Sequence, residues 1–248
     1  MTASKAKVVV LSDAEAIADE AAKRLVARLA QADDRPAVCI TGGDSPQRLF
    51  QLLAREPYRS RIAWSRAHWF ITDDRFVPMN SPLSNIGMAR RLFLDPVGTP
   101  DENIHAIPST AGTVEEAARR YQSELKQFYG RDRFDRARPL FALVLMGLGP
   151  DGHTASLFPN APALRERECW VLGVEKAGFS PFVPRVTLTF PALASTREML
   201  FLVSGSEKRN ILAQVLSGSD LPASQAWSEG ELVWLVDRAA AGEAHGGA

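Results

Sequence analysis

Asp151-Gly152-His153 follows two glycines, Gly147 and Gly149, just beyond the apolar run Leu140-Phe141-Ala142-Leu143-Val144-Leu145-Met146. The run reads as a buried strand. A strand that breaks into glycines presents its next residues at the carboxyl edge of a sheet, where open α/β sheets bind their ligands. Histidine titrates near neutrality and can serve there as a base. Polar loops hung on rigid strands tend to carry function. A glycine-rich turn with a surface histidine is the bland alternative, but two glycines, an aspartate and a histidine within seven positions favour a site.

Further polar clusters succeed other strand-like runs. Thr41-Gly42-Gly43-Asp44-Ser45 joins Ala37-Val38-Cys39-Ile40 to a helix. Free amides and the helix dipole at such a junction favour an anion. The glycines let the backbone close on phosphate oxygens, with the Thr41 and Ser45 hydroxyls as added donors. The loop is neither a Walker loop nor a GxGxxG fingerprint, and an ordinary tight turn is the competing reading. Asp73-Asp74-Arg75 ends the run His68-Trp69-Phe70-Ile71-Thr72. Its guanidinium can grip a carboxylate or phosphate, or stabilise charge developing on an oxygen; an exposed salt-bridged turn is the alternative. Arg185 opens a strand and Lys208 stands at a helix start. Singly each reads as a solvated charge, and only convergence gives them weight.

Composition excludes several classes. The 248 residues suffice for one large α/β domain or two small ones. Lys plus Arg and Asp plus Glu both number 29, so formal net charge is zero. That argues against attraction to nucleic acid or an anionic membrane. Cys39 and Cys169 lie far apart in apolar runs, without CxxC spacing or a Cys/His cluster. Neither a metal site nor a disulfide framework is expected, and core thiols in a reducing compartment fit instead. No signal-peptide h-region is evident, and no apolar stretch nears the roughly 18 residues of a membrane span. The expectation is a cytoplasmic protein without cofactor, a monomer or small homo-oligomer.

Periodicity supplies the elements that position these groups. Lys7–Leu11 reads as a first buried strand, and Ser12 or Asp13 caps a helix to about residue 31, with Ala14, Ile17, Ala21, Leu25 and Leu29 on one face. Pro46 fits the first turn of a helix over residues 47–55. Ser84 caps a helix over 85–94, residues 103–107 read as a short strand, and Thr113 opens an amphipathic helix to about Tyr129. Residues 170–174, 185–190 and 198–204 read as strands, the first two joined by a loop carrying Lys176 and two prolines. Leu232-Val233-Trp234-Leu235-Val236 closes the sheet, and the tail from about residue 240 is expected to be disordered. Strands alternating with helices predict a single α/β domain over 1–248: a mostly parallel, doubly wound, Rossmann-like sheet with helices on both faces.

Thr41 through Pro46, Asp73-Asp74-Arg75-Phe76-Val77-Pro78, Ser84-Asn85-Ile86-Gly87 and Gly147 through Pro159 together resemble the 6-phosphogluconolactonase family, within the glucosamine/galactosamine-6-phosphate isomerase superfamily. Arg185-Val186-Thr187-Leu188-Thr189, Gly205-Ser206-Glu207-Lys208 and Trp234-Leu235-Val236-Asp237 continue the resemblance in order, from about residue 8 to 240. The stretch from Asp151 to Pro159 is its most specific part. The resemblance implies a Rossmann-like fold shared with amino-sugar phosphate isomerases. It also implies hydrolysis of 6-phospho-D-glucono-1,5-lactone to 6-phosphogluconate, the second step of the oxidative pentose phosphate pathway. Two departures stand out. Asp74 occupies a position where the family usually has Glu, and the loop over 175–184 differs from the family's Pro-rich connection.

For that substrate, neutral His153 is expected to take a proton from water and return it to the leaving ring oxygen. Asp151 would orient the imidazole and favour its charged form. Arg75 is assigned to the oxyanion or the sugar, and Asp73 to a hydroxyl or to fixing Arg75. The phosphate falls to Thr41, Gly42, Gly43, Asp44 and Ser45 with Arg185 and Lys208, and no metal is required. Covalent attack by Ser156 or Thr154 is the weaker route, because no GxSxG elbow surrounds either. One rival is a glucosamine-6-phosphate deaminase or isomerase, a family that continues after this His with Ile-Ala-Phe-Asn-Glu-Pro. Here Thr154-Ala155-Ser156-Leu157-Phe158-Pro159 lacks the carboxylate. The other is a non-catalytic sugar-phosphate-binding protein, but no DNA-binding extension is evident.

Overall fold

Short, continuously apolar runs become strands buried on both faces, the composition that covered parallel sheets demand. The structure, a computed structural model, describes residues 6–32, 35–110 and 112–242. Its first half holds β1 (Lys7–Leu11), α1 (Ala14–Gln31), β2 (Ala37–Ile40), α2 (Gln47–Leu53), β3 (His68–Ile71), β4 (Asp73–Arg75), α3 (Asn85–Ala89), α4 (Asp95–Val97), β5 (Ile104–His105) and α5 (Val114–Tyr129). The second holds β6 (Leu143–Gly147), β7 (Val171–Val174), β8 (Arg185–Leu188), α6 (Phe190–Ala194), β9 (Glu198–Val203), α7 (Arg209–Leu216), β10 (Glu231–Asp237) and α8 (Arg238–Ala241).

Seven parallel strands form the central sheet, in the order β1-β10-β9-β6-β2-β3-β5. From β2 the chain moves outward through β3 to β5, then returns to the other side of β2 for β6 and proceeds to β9 and β10. The order reverses between β2 and β6, and the crevice beyond their carboxyl ends is the natural ligand position in such a sheet. The loops leaving those two strands are the ones that begin at Thr41 and Leu148.

Capping fixes where helices start. Asp13, not Ser12, caps α1, its Oδ1 accepting from Ala16 N at 2.9 Å. Thr113 and Glu116 form a reciprocal capping box on α5, and Ser84 Oγ accepts from Gly87 N at 3.0 Å on α3. Pro46 stands at the cap of α2 rather than inside its first turn. The core beneath holds Phe50, Trp69, Phe70, Phe93, Phe141 and Phe201, all fully buried. Each contributes roughly 1.5–3 kcal/mol by leaving water.

Several expectations need correction. β1 is an edge strand rather than a buried one, with Val8 and Val10 exposed, because among the described residues only β10 pairs with it. β10 accordingly lies inside the sheet and does not end it. β7 and β8 leave the central sheet and join β4 in a separate antiparallel sheet, in the order β4-β8-β7. The helix expected over 85–94 is broken, α3 giving way to a π-helical turn at Arg90–Leu94 and then α4. The tail does not fray at residue 240: Asp237 caps α8 by accepting from Ala240 N at 2.7 Å, and Ala240 is buried. The rest of that tail, residues 243–248, lies outside the described residues. Cys39 is a buried free thiol, whereas Cys169 is only half-buried. Among the described residues no helix is long and apolar enough to cross a membrane.

Candidate active site

Beyond β6 the chain folds back sharply. Gly149 N donates to His153 O at 2.8 Å, and Gly152 N donates to Gly149 O at 3.1 Å. Position 149 must be glycine, since a Cβ there would fall 2.1 Å from His153 Nδ1. Asp151 Oδ1 accepts from His153 N at 3.1 Å and from Nδ1 of its ring. A neutral imidazole that donates from Nδ1 keeps the lone pair on Nε2, the arrangement a base requires. The side chain is 17% exposed, so water can reach it. Thr154 Oγ1 donates to Gly147 O at 2.9 Å and Ser156 Oγ donates to Asp73 Oδ2 at 2.6 Å. Both hydroxyls are committed and buried, which weighs further against a covalent route. The turn between them puts Ala155 at φ 48°, a left-handed conformation that costs a non-glycine residue energy.

The Asp73-Asp74-Arg75 cluster is a short buried strand, not an exposed salt-bridged turn. Asp73 accepts from Ser156 and, at 3.1 Å, from Thr72 Oγ1. Its carboxylate does not fix Arg75. That task falls to Leu83 O and Asn85 Oδ1, each accepting from Arg75 Nη1 at 2.9 Å. Asp74 turns away from the cleft and accepts from Asn85 N (2.7 Å), Arg75 N (2.8 Å), Ile86 N (3.0 Å) and Ser84 Oγ (3.1 Å). Burial pushes its carboxyl up to about 6, while the three amides pull the other way.

Arg75 lies directly opposite Arg185 across the β4–β8 ladder. Arg185 is buried, and burial draws its guanidinium below its ordinary range. Its Nη2 donates to Phe179 O (3.3 Å) and Pro181 O (2.9 Å). The Nε atoms of Arg75 and Arg185 are both buried without a partner. Both side chains line the same cleft, and two guanidiniums side by side favour negative charge between them.

Further lining comes from the loop after β2 and from the residues just before α7. Gly42 leaves room for Asn85, because a Cβ there would sit 2.0 Å from its Cγ. Lys208 Nζ donates to Leu148 O at 2.9 Å. All of these converge on a cleft of about 650 Å³, lined by Thr41, Gly42, Gly43, Asp44, Ser45, Asp73, Arg75, His153, Arg185 and Lys208 among others. Asp151 stays behind the ring it orients. A larger hollow, about 890 Å³, lies beyond Ser156 and Phe158 between loop residues and β7. It contains none of His153, Arg75 and Arg185, so the smaller cleft is the candidate site.

Among the lining residues to which the sequence assigns no role in the site are Arg48, Asn85, Phe179 and Glu207. Arg48 had a signal, one helical turn after Ser45, though its guanidinium is held by Glu15. Asn85 is the first residue of α3 and was readable as a helix start, not as a support for Arg75. Nothing in the spacing indicated Phe179.

A family profile described as "Glucosamine-6-phosphate isomerases/6-phosphogluconolactonase" matches residues 12–234. The 6-phosphogluconolactonase of Synechocystis sp. is 37% identical over 207 residues, covering 82% of each chain. That of Streptomyces coelicolor is 36% identical over 247 residues, covering 96% of this chain and 94% of the relative. The crystal structure of 6-phosphogluconolactonase from Thermotoga maritima superposes with a TM-score of 0.80 at 30% identity, covering 94% of this chain and all of that one. A monomeric glucosamine-6-phosphate deaminase shares the fold, with a TM-score of 0.79 at 18% identity.

Proposed function

Because the chain belongs to the family of glucosamine-6-phosphate isomerases and 6-phosphogluconolactonases, we propose that it is a carboxylic-ester hydrolase opening 6-phospho-D-glucono-1,5-lactone to 6-phospho-D-gluconate in the pentose phosphate pathway. One observation carries the reading: an imidazole tied at Nδ1 to Asp151 shares a cleft with two guanidiniums whose Nε atoms lack partners.

His153 Nε2 takes a proton from a water molecule as the water oxygen bonds to the lactone carbonyl carbon. Asp151 stabilises the imidazolium that forms. The Arg75 guanidinium faces the negative charge on the former carbonyl oxygen. Collapse of the tetrahedral species breaks the bond to the ring oxygen, which receives the proton back from His153. The products are a hydroxyl and a carboxylic acid, which ionises. General-base assistance supplies about 10²–10⁴-fold, and anchoring the phosphate adds the advantage of position. The phosphate is assigned to the amides and hydroxyls from Thr41 to Ser45 with Arg185 and Lys208. Free thiols at Cys39 and Cys169 agree with a reducing, cytoplasmic setting.

The test is a coupled assay on freshly generated lactone, corrected for spontaneous opening. His153→Ala is expected to lower kcat by about 10²–10⁴-fold while phosphate still competes with its wild-type inhibition constant. Lys208→Ala is expected to raise KM mainly. Near-normal turnover in His153→Ala overturns the base assignment, and ammonia release from glucosamine 6-phosphate would favour the deaminase instead.

A further inference from the structure

The loop over 175–184 brings an aromatic ring to the cleft. Phe179 is the only phenylalanine among the described residues lining that cleft. Its ring centroid stands 5.8 Å from that of His153, with 36° between the planes. Phe158 contacts the imidazole too, at 4.9 Å, but is buried. Phe179 differs in being 39% exposed, so an apolar face is left open beside the base.

The position of this ring is not incidental. Arg185 Nη2 holds the carbonyls of Phe179 and Pro181, while its Nε is left without a partner. One guanidinium thus fixes the loop backbone while its side chain lines the cleft. The backbone that carries the ring is therefore held by a residue of the cleft wall.

We propose that Phe179 is a specificity-determining residue, a platform for the C–H face of the lactone ring that favours the closed substrate over its open-chain product. The inference rests on the lactonase reading. A six-membered lactone is flattened at its carbonyl and presents a compact apolar face that a phenyl ring can cover. The hydrolysed acid is an extended polyhydroxyl chain without such a face. Both carry the same phosphate, so the anion contacts cannot tell them apart; the ring can. Preference for the substrate also lets the product leave.

The experiment compares KM for the lactone with the inhibition constant of 6-phosphogluconate in wild type, Phe179→Ala, Phe179→Leu, Phe179→Trp and Phe182→Ala. Phe182 is on the same loop, 76% exposed and absent from the cleft lining. Phe179→Ala is expected to raise KM about tenfold, the size of one lost apolar contact, and to move product inhibition less than twofold. Phe179→Trp should restore KM, and Phe182→Ala should behave as wild type. Phe179→Leu keeps an apolar side chain without the flat face; it should show the same split and serves if the alanine variant does not fold. An unchanged KM in Phe179→Ala overturns the proposal alone, as does an equal rise in KM and product inhibition constant, or a matching effect in Phe182→Ala. A wild-type protein without lactonase activity overturns the functional reading and this inference together.

Discussion

At the scale of single residues, Asn85 shows how a side chain can govern an active site from its edge. Its Oδ1 accepts from Arg75 Nη1, and its Nδ2 donates to Asp73 O at 3.0 Å. It fills the space that Gly42 leaves vacant. Asn85→Ala should release one of the two acceptors holding Arg75. The expected result is about a tenfold to hundredfold loss in kcat/KM, the scale of a lost charge-stabilising contact, with little change in Tm. Gly42→Ala should lose activity for the same reason, because the added methyl displaces Asn85. Steady-state kinetics beside thermal melts check both. The Asp74 carboxylate receives three backbone amides, two of them from the first turn of α3. That role was invisible in the residue itself: it emerges only once Ser84, Asn85 and Ile86 are folded over it.

At the scale of elements, a histidine relay ties β3, β5 and α5 together. His68 Nδ1 meets His105 Nε2 at 3.0 Å, and His105 Nδ1 meets Glu124 Oε1 at 2.6 Å. Arg35 Nε approaches His68 Nε2 at 3.4 Å. This pattern suits a neutral His68 that donates from Nδ1 and accepts at Nε2. Burial, with His105 and Arg35 adding, lowers its pKa to about 4 from an ordinary 6.5. In the window between those values the unfolded chain binds a proton that the folded chain refuses. Stability from this group is therefore full above pH 6.5 and is lost as pH falls through the window toward 4. His68→Gln should flatten the decline in Tm measured from pH 7 to pH 4.5, the histidine accounting for up to about 3 kcal/mol of it. Most helices and the parallel strands were legible from capping residues and unbroken apolar runs. β4 was not, because three charged residues show no strand periodicity, and only pairing with β8 makes them one. The exile of β7 and β8 from the main sheet was hidden likewise: their apolar runs look no different from those of central strands.

At the scale of the molecule, the strand order does the most for function, since it sets the Thr41 and His153 loops on either side of one crevice. Sequence pointed to those loops individually, but their meeting depends on chain crossings that no local pattern encodes. A second long-range device is Glu198, nearly fully buried, which accepts from Arg24 Nη1 at 2.8 Å and Arg28 Nε at 2.6 Å. It clamps α1 to the start of β9. Glu198→Ala leaves both guanidiniums without that partner. The expected cost is about 2–3 kcal/mol, reduced from the fully buried case because the arginines keep some water. Urea melts should register the loss, while turnover at 25 °C stays near wild type. The pairing of β1 with β10, Lys7 beside Val233 and Leu11 beside Asp237, has a further consequence. Among the described strands β1 comes earliest in the chain, and its one partner comes latest. Until β10 has been made the backbone of β1 lacks its ladder, so the newborn polypeptide must wait, and a circularly permuted gene that makes these two strands consecutive should shorten that wait.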